Sequence, residues 1–376
     1  MVLTDEQIMI RDTARAFAAD VLAPGAAKRA AAKTIEPDVL RGLAELGFLG
    51  MTVPENLGGV GADYVSYALA MMEIAGGDGA VSTVMSVHNA PFNAILQRFG
   101  SPDQQREVLN AAAAGEFIGA FALTESHAGS DASAIRCSAR ISNSGYLING
   151  EKTFITSGQL AGWIILFARL EGSKGKEGIT AFLTPTRIAG YKVSRVENKM
   201  GQDASDTCAL RFDDLHIPNE MRIGEEGQGY KIALSSLETG RIGIAAQAVG
   251  MAQAALDVAM TYAAERSSFG KKIIDHQAVG FRLADAAARV EAARQLVLHA
   301  ASMKDAGEPC LTQAAMAKLL ASETAETVVS AAIQTLGGYG YLADFPLERI
   351  YRDVRVCQIY EGSSDIQKML ILRGLT

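Results

Sequence analysis

Apolar positions first recur along this chain at helical spacing. Thr4, followed three residues later by Gln7, forms a capping-box pattern, and Ile10, Ala14, Phe17 and Val21 then mark one stripe to be buried. The run Pro54-Glu55-Asn56-Leu57-Gly58-Gly59 breaks the pattern as a loop. A second helix is expected from about Tyr64 to Ala75, ended by Gly76-Gly77. From about Phe121 the period changes to two. Tyr146 and Ile148 alternate with their neighbours, Asn149-Gly150 signals a hairpin turn, and Phe154 continues beyond it. Strands are also expected at Trp163–Ala168, at Ile179–Leu183 and through Cys208, Leu210 and Phe212. No helix of crossover length separates these strands, which predicts an antiparallel, barrel-like sheet. After Gly229 the helical period returns, and Leu283, Ala286, Ala287, Val290, Ala293, Val297 and Ala300 hold a stripe over about five turns. The fold class is therefore α+β and multidomain. A helical domain spans 1–119, a β-domain 120–228, and a helical domain of four-helix-bundle type 229–376.

Composition narrows the function classes. The 376 residues carry 35 basic and 42 acidic side chains, a net charge of −7, with no dense Lys/Arg block. A nucleic-acid partner is not expected, and an anionic ligand must be met by a few placed groups. No uninterrupted apolar run approaches the length of a membrane span. Cys137, Cys208, Cys310 and Cys357 are scattered without CxxC spacing, and five histidines form no metal-ligand pattern, so neither a metal site nor a disulfide framework is expected. The start lacks a basic and apolar leader. Bacterial cytoplasm is the simplest address, and a processed mitochondrial protein would show the same start. There is no GxGxxG after a strand and no P-loop.

Five segments carry more. They are Leu123-Thr124-Glu125-Ser126-His127-Ala128-Gly129-Ser130-Asp131, Lys152-Thr153-Phe154-Ile155-Thr156-Ser157-Gly158, Glu265-Arg266-Ser267-Ser268-Phe269-Gly270 with Gln277, Gln334 through Gly340, and Ile359-Tyr360-Glu361-Gly362-Ser363-Ser364-Asp365-Ile366-Gln367. In this order they resemble the acyl-CoA dehydrogenase family over nearly the whole chain. The resemblance implies an FAD-dependent enzyme that oxidises an acyl-CoA thioester to the trans-2-enoyl-CoA and passes electrons to electron-transfer flavoprotein. It also implies a homotetramer built as a pair of dimers.

Such a reaction needs a base for the α proton, donors for the developing enolate oxygen and a hydride acceptor at the β carbon. By resemblance Glu361 is the base, with its own N–H in the oxyanion site and Gly362 beside the substrate. Some relatives place the base on an earlier helix, at the position of Gly240 here, which can abstract nothing. Glu238 matches a position that contacts pantetheine or adenine. Arg241 either holds the coenzyme A side of the ligand or pairs with an acid of the chain such as Glu238. Phe121, Leu123, Thr124, Gly129, Phe154, Ile155 and Thr156 fall in the flavin segments, and Ser130 would reach the flavin phosphates or the pantetheine arm. Ser363 and Asp365 complete the flavin set. Arg266, Phe269, Gln277, Gln334, Gly337 and Gly338 would reach FAD from a neighbouring subunit, although Gly337-Gly338 also reads as a plain helix C-cap. Departures from the family pattern are Ser126-His127, Asp203 in place of a basic residue, and Asp365 where Gln or Glu is usual.

Blocks such as Gly240-Arg241-Ile242-Gly243 look most like short-chain and short-branched-chain members, with the pocket floor expected within Ser86–Phe99. Two other readings stay open at this stage. One is an acyl-CoA oxidase, and the other a non-catalytic helical scaffold that has lost its chemistry.

Overall fold

The computed structural model describes residues 1–376. Thr4 caps the first helix with a complete capping box, leading into α1 (Asp5–Phe17). The expected stripe then shifts. A π turn at Ala18–Leu22 inserts one residue into the helical repeat, so Ala14, Ala18 and Leu22 are buried while Val21 is exposed. After it come α2 (Ala23–Ala32), α3 (Pro37–Glu45), α4 (Tyr64–Gly77), α5 (Gly79–Val87), α6 (Ala94–Phe99), α7 (Pro102–Gln104) and α8 (Asn110–Ala113).

The middle of the chain forms β1 (Gly119–Ala122), β2 (Ser138–Ser142), β3 (Gly145–Thr156), β4 (Trp163–Leu170), β5 (Ile179–Pro185), β6 (Tyr191–Val196), β7 (Thr207–Pro218) and β8 (Arg222–Ile223). Three expectations are corrected here. The sheet is open, with strand order β6-β7-β3-β2-β4-β5-β8 and β1 attached to β4, so it is no closed barrel. It is mixed, because β1 and β2 both pair parallel with β4. The intervening strands and their loops carry those connections without a crossover helix, so helix count did not reveal strand direction. Asn149-Gly150 lies inside β3 and makes no hairpin. The turn falls between Ser142 and Gly145, and Gly150, at φ +140°, sits at a register shift against β7.

The remaining chain is α9 (Gly229–Glu265), a two-residue ribbon of β9 (Ser267–Ser268) and β10 (Lys271–Lys272), α10 (Gln277–Asp305), α11 (Leu311–Leu336), α12 (Leu347–Val354) and α13 (Ser364–Leu375). Long helices α9, α10 and α11 pack together, with α13 against α11 as the short fourth member. The α10 stripe is buried as expected except for Ala287, which faces outward. Helix α9 is long and apolar enough to cross a membrane by length and composition, yet most of that stretch is buried against other helices. Small residues allow this packing. A methyl at Gly250 would meet the carbonyl oxygen of Met72 at 2.0 Å, so α4 and α9 approach backbone to backbone.

Candidate active site

The end of β1 lies beside the end of β3, and the turn that carries Glu361 lies against α9. Following β1, Leu123 and Thr124 run beside the end of β3, where the N–H of Thr153 donates to the Thr124 carbonyl at 2.9 Å. The two motifs are fastened by a buried ion pair. Lys152 Nζ donates to Glu125 Oε1 at 2.8 Å and to the Leu123 carbonyl at 2.9 Å, while Glu125 also accepts from the N–H groups of Arg136 and Cys137. Every hydrogen-bonding demand of that carboxylate is met locally, which is how a charge survives burial.

Against this frame, Phe154 projects outward with φ +59° and 65% exposure, a strained conformation for a bulky side chain. Buried next to it are the hydroxyls of Thr153 and Ser157, neither with a partner. Thr124, Thr156 and Phe121 are half-buried, Gly129 and Ser130 exposed, and nothing lies within 4 Å of where a Gly129 side chain would stand. Leu123 and Ile155 point into hydrophobic clusters, leaving only their backbone free to meet a ligand.

Glu361 sits in a turn before α13 at φ +52°, with Gly362 at φ +90°. The residue is half-buried, but its Oε2 is fully enclosed and without a hydrogen-bond partner. Its backbone N–H donates to no group of the chain. Burial raises the carboxyl pKa, and the charges of Arg241 and Lys318 oppose that rise. A methyl at Gly240 would stand 2.7 Å from Oε2. The alternative base position and the Glu361 carboxylate thus occupy the same space.

Arg241 is buried with Nε unpartnered and its pKa lowered by burial. It makes no ion pair with Glu238, which instead accepts from Lys304 at 2.8 Å. Glu238 lines a cleft of about 600 Å³ with Arg98, Lys176, Tyr230, Lys231 and Ser235. A second cavity of about 620 Å³ lies between α1, α4, α9 and α10, and no expected site residue lines it.

The remaining candidates lie elsewhere. Phe269 is 95% exposed at φ +49°, and Arg266, Gln277, Gln334, Gly337 and Gly338 are exposed. They gather at the end of the bundle where Tyr262 meets Tyr339 with ring centroids 6.1 Å apart. Arg266 is 26 residues beyond Gly240, so roughly 39 Å of helix axis separates this group from Glu361. Ser363 caps α13 through Ile366 N–H, and Asp365 stands exposed in its first turn, a favourable place for an acid. Asp203 pairs with Arg352 at 3.2 Å, and exposed His127 lies 3.2 Å from the Ala134 carbonyl.

Sequence reasoning missed Lys318, whose fully buried side chain donates to the Gly362 carbonyl at 2.7 Å. The available signal was a single charge on the buried face of an Ala-rich helix. It also missed Tyr67. A methyl at Gly243 would stand 2.7 Å from the Tyr67 hydroxyl and 3.0 Å from Ser86 Oγ.

Comparison with known proteins decides the family. Acyl-CoA dehydrogenase models for the N-terminal, middle and C-terminal domains match residues 4–116, 120–215 and 227–376. The chain belongs to the acyl-CoA dehydrogenase family. It is 42% identical over 369 residues to the mitochondrial short-chain specific acyl-CoA dehydrogenase of Bos taurus, covering 98% of this chain and 90% of the relative. Its fold matches butyryl-CoA dehydrogenase from Megasphaera elsdenii with a TM-score of 0.98 at 39% identity, covering 100% and 99% of the two chains. A chain solved in a structure of the electron transferring flavoprotein of Acidaminococcus fermentans matches with a TM-score of 0.98 at 40% identity, again over 100% and 99%. The chain is thus an oxidoreductase of the acyl-CoA dehydrogenase kind, with the expected three-part helical, β and helical fold.

Proposed function

We propose that this enzyme dehydrogenates a short acyl-CoA between its α and β carbons, with Glu361 as the base and FAD as cofactor. The observation that carries the reading is the enclosed, unpartnered Oε2 of Glu361, seated against Gly240 on α9. A carboxylate oxygen with no other hydrogen bond is free to accept a proton, and burial makes it hold that proton more firmly. The free N–H of Glu361 offers one donor to the thioester oxygen as negative charge develops there.

FAD fits the residues present. Exposed Phe154 offers an aromatic face, the orphaned hydroxyls of Thr153 and Ser157 offer polar contacts, and the open space at Gly129 admits a phosphate close to backbone. Thr124, Thr156, Ser130, Ser363 and Asp365 would complete that half of its site. When bound, FAD supplies the acceptor for the β hydride. Arg266, Phe269, Gln277, Gln334, Gly337 and Gly338 lie at the far end of the bundle from Glu361, too far to join the same site within one chain, which supports their reaching FAD across a subunit boundary in a homotetramer. Arg98, Lys176 and Lys231 supply cations along the cleft for the phosphates of coenzyme A, with Glu238 in its lining and Arg241 further inside.

A short acyl group is supported by Tyr67 and Ser86. They wall the face of Gly243 only three residues, about 4.5 Å of helix rise, beyond Gly240. The M. elsdenii and B. taurus relatives, named for butyryl-CoA and short-chain activity, agree with that length. Electron-transfer flavoprotein is the proposed acceptor.

Anaerobic titration of the purified yellow protein with acyl-CoAs of graded length and branching tests the reading. Bleaching strongest near four carbons is expected. A colourless protein, or flavin that no acyl-CoA bleaches, overturns it.

A further inference from the structure

Glu361 and Gly362 both have positive φ, which turns their carbonyls inward toward α11 and α13 instead of into a helix. Two buried side chains catch them. Gln367 Nε2 donates to the Glu361 carbonyl at 3.2 Å and to the Gly362 carbonyl at 2.8 Å, and Lys318 Nζ donates to the Gly362 carbonyl at 2.7 Å. Gln367 suffices to satisfy these acceptors without burying a charge. Lys318 nevertheless places an ammonium here, with no exposed side-chain surface and only this one hydrogen bond. A buried ammonium carries a large desolvation penalty unless it is well paired. Placed solely to support a turn, it would be a poor choice.

We propose that Lys318 is a positioning residue for proton abstraction: it fixes the turn that aims Glu361 and supplies the nearby positive charge that keeps that carboxyl ionised and ready. The inference rests on Glu361 being the base. The charged and titratable groups facing this pair are Arg241 from α9, Tyr67 from α4, Cys357 from the segment before the turn, and Glu361 itself. Burial lowers the Lys318 pKa to about 8, and the Glu361 carboxylate opposes that fall. The Glu361 carboxylate and Lys318 ammonium therefore stabilise one another without touching: no ion pair within 4 Å joins them.

The test uses the FAD-loaded enzyme with Lys318→Gln, which keeps a donor and loses the charge, and Lys318→Met, which loses both. In each, the acid limb of the kcat pH profile should move upward by about one pH unit, because an opposing charge has gone. Lys318→Met should lose more turnover than Lys318→Gln at the pH optimum, while the KM for butyryl-CoA stays within about twofold. A purely structural lysine would lower the unfolding temperature and leave the acid limb where it is in wild type. That result overturns the proposal. Should neither variant fold, Glu361→Gln in protein carrying 15N-lysine gives the reciprocal measurement. The Nζ titration of Lys318 should move downward from its wild-type midpoint when the carboxylate is removed. An unmoved midpoint overturns the coupling. Loss of bleaching in Glu361→Gln with an unmoved lysine would leave the base assignment standing and remove only Lys318; undiminished bleaching would remove both.

Discussion

Two buried lysines of this enzyme have a glutamate nearby, and they are arranged in opposite ways. In the β-domain, Lys152 and Glu125 touch at 2.8 Å, and the carboxylate accepts two further backbone N–H groups while the ammonium donates to a carbonyl as well. Among the helices, Lys318 and Glu361 stay apart, the ammonium has one acceptor and Glu361 Oε2 has none. Burial pushes the Glu361 carboxyl up and the Lys318 ammonium down to about 8. A satisfied pair welds two segments together and has little reason to exchange a proton. An unsatisfied one stores electrostatic tension that a substrate can relieve. On the proposed reading, the comparison separates residues that build the site from residues that react in it.

The largest break in that contrast comes from Glu361→Gln. Turnover should fall by about 10³-fold, the scale of a lost general base, while flavin content and butyryl-CoA binding persist; stopped-flow bleaching measures it. Its stability should not suffer. Because the folded pKa of Glu361 is raised, the native state holds the proton more tightly than the unfolded chain. Stability from this group is therefore lost as pH rises through the folded pKa. Urea unfolding from about pH 4 upward should show a flatter pH slope in Glu361→Gln than in wild type. Glu125→Gln should do the reverse. It strands the Lys152 ammonium in the β-domain and should cost about 3–5 kcal/mol, seen as a lower urea midpoint. Equal stability losses in the two variants would dissolve the distinction.

This contrast was only half legible in the sequence. Glu125 and Lys152 stand inside the first two of the five segments that carry the family resemblance, but their pairing spans 27 residues, a relation no local pattern encodes. The helical–β–helical order was readable because each region keeps one period for many residues. Val21 was misplaced because a π turn changes that period for five residues, and its marker, Pro24, lies two residues beyond the turn, where it offers no N–H to the Asp20 carbonyl and crowds it. Asn149-Gly150 deceived for a related reason, since the same glycine that permits a hairpin also permits a bulge inside β3. Parallel pairing of β1 and β2 with β4 depends on where connecting loops travel, which apolar alternation does not record. Glu361 was found through its motif, whereas Lys318 lay on another helix, 43 residues away.

Gly240→Ala tests the unsatisfied pair by displacement instead of removal. The new methyl would stand 2.7 Å from Oε2, so the carboxylate must move. A misplacement of this order should lower turnover about 10- to 100-fold, with overpacking limited to about 1–3 kcal/mol of stability. Pre-steady-state bleaching and a urea titration on the same sample separate the two effects. Turnover equal to wild type would mean that the carboxylate has room the structure denies it.

The smallest effect belongs to a cation of a third kind, Lys231, which is exposed and lines the 600 Å³ cleft. Here water screens the charge, so removing it strands nothing and Lys231→Met should leave stability within about 0.5 kcal/mol. Its effect should appear only with an anionic ligand present. The KM for butyryl-CoA should rise about threefold at low salt with kcat unchanged, and the difference from wild type should shrink as ionic strength is raised, because Debye screening shortens the reach of an exposed charge. Lys318→Met, whose charge is sealed from solvent, should show no such salt dependence. A KM difference for Lys231→Met that persists undiminished in high salt would mean the side chain makes an enclosed contact with the ligand and belongs with the buried cations after all.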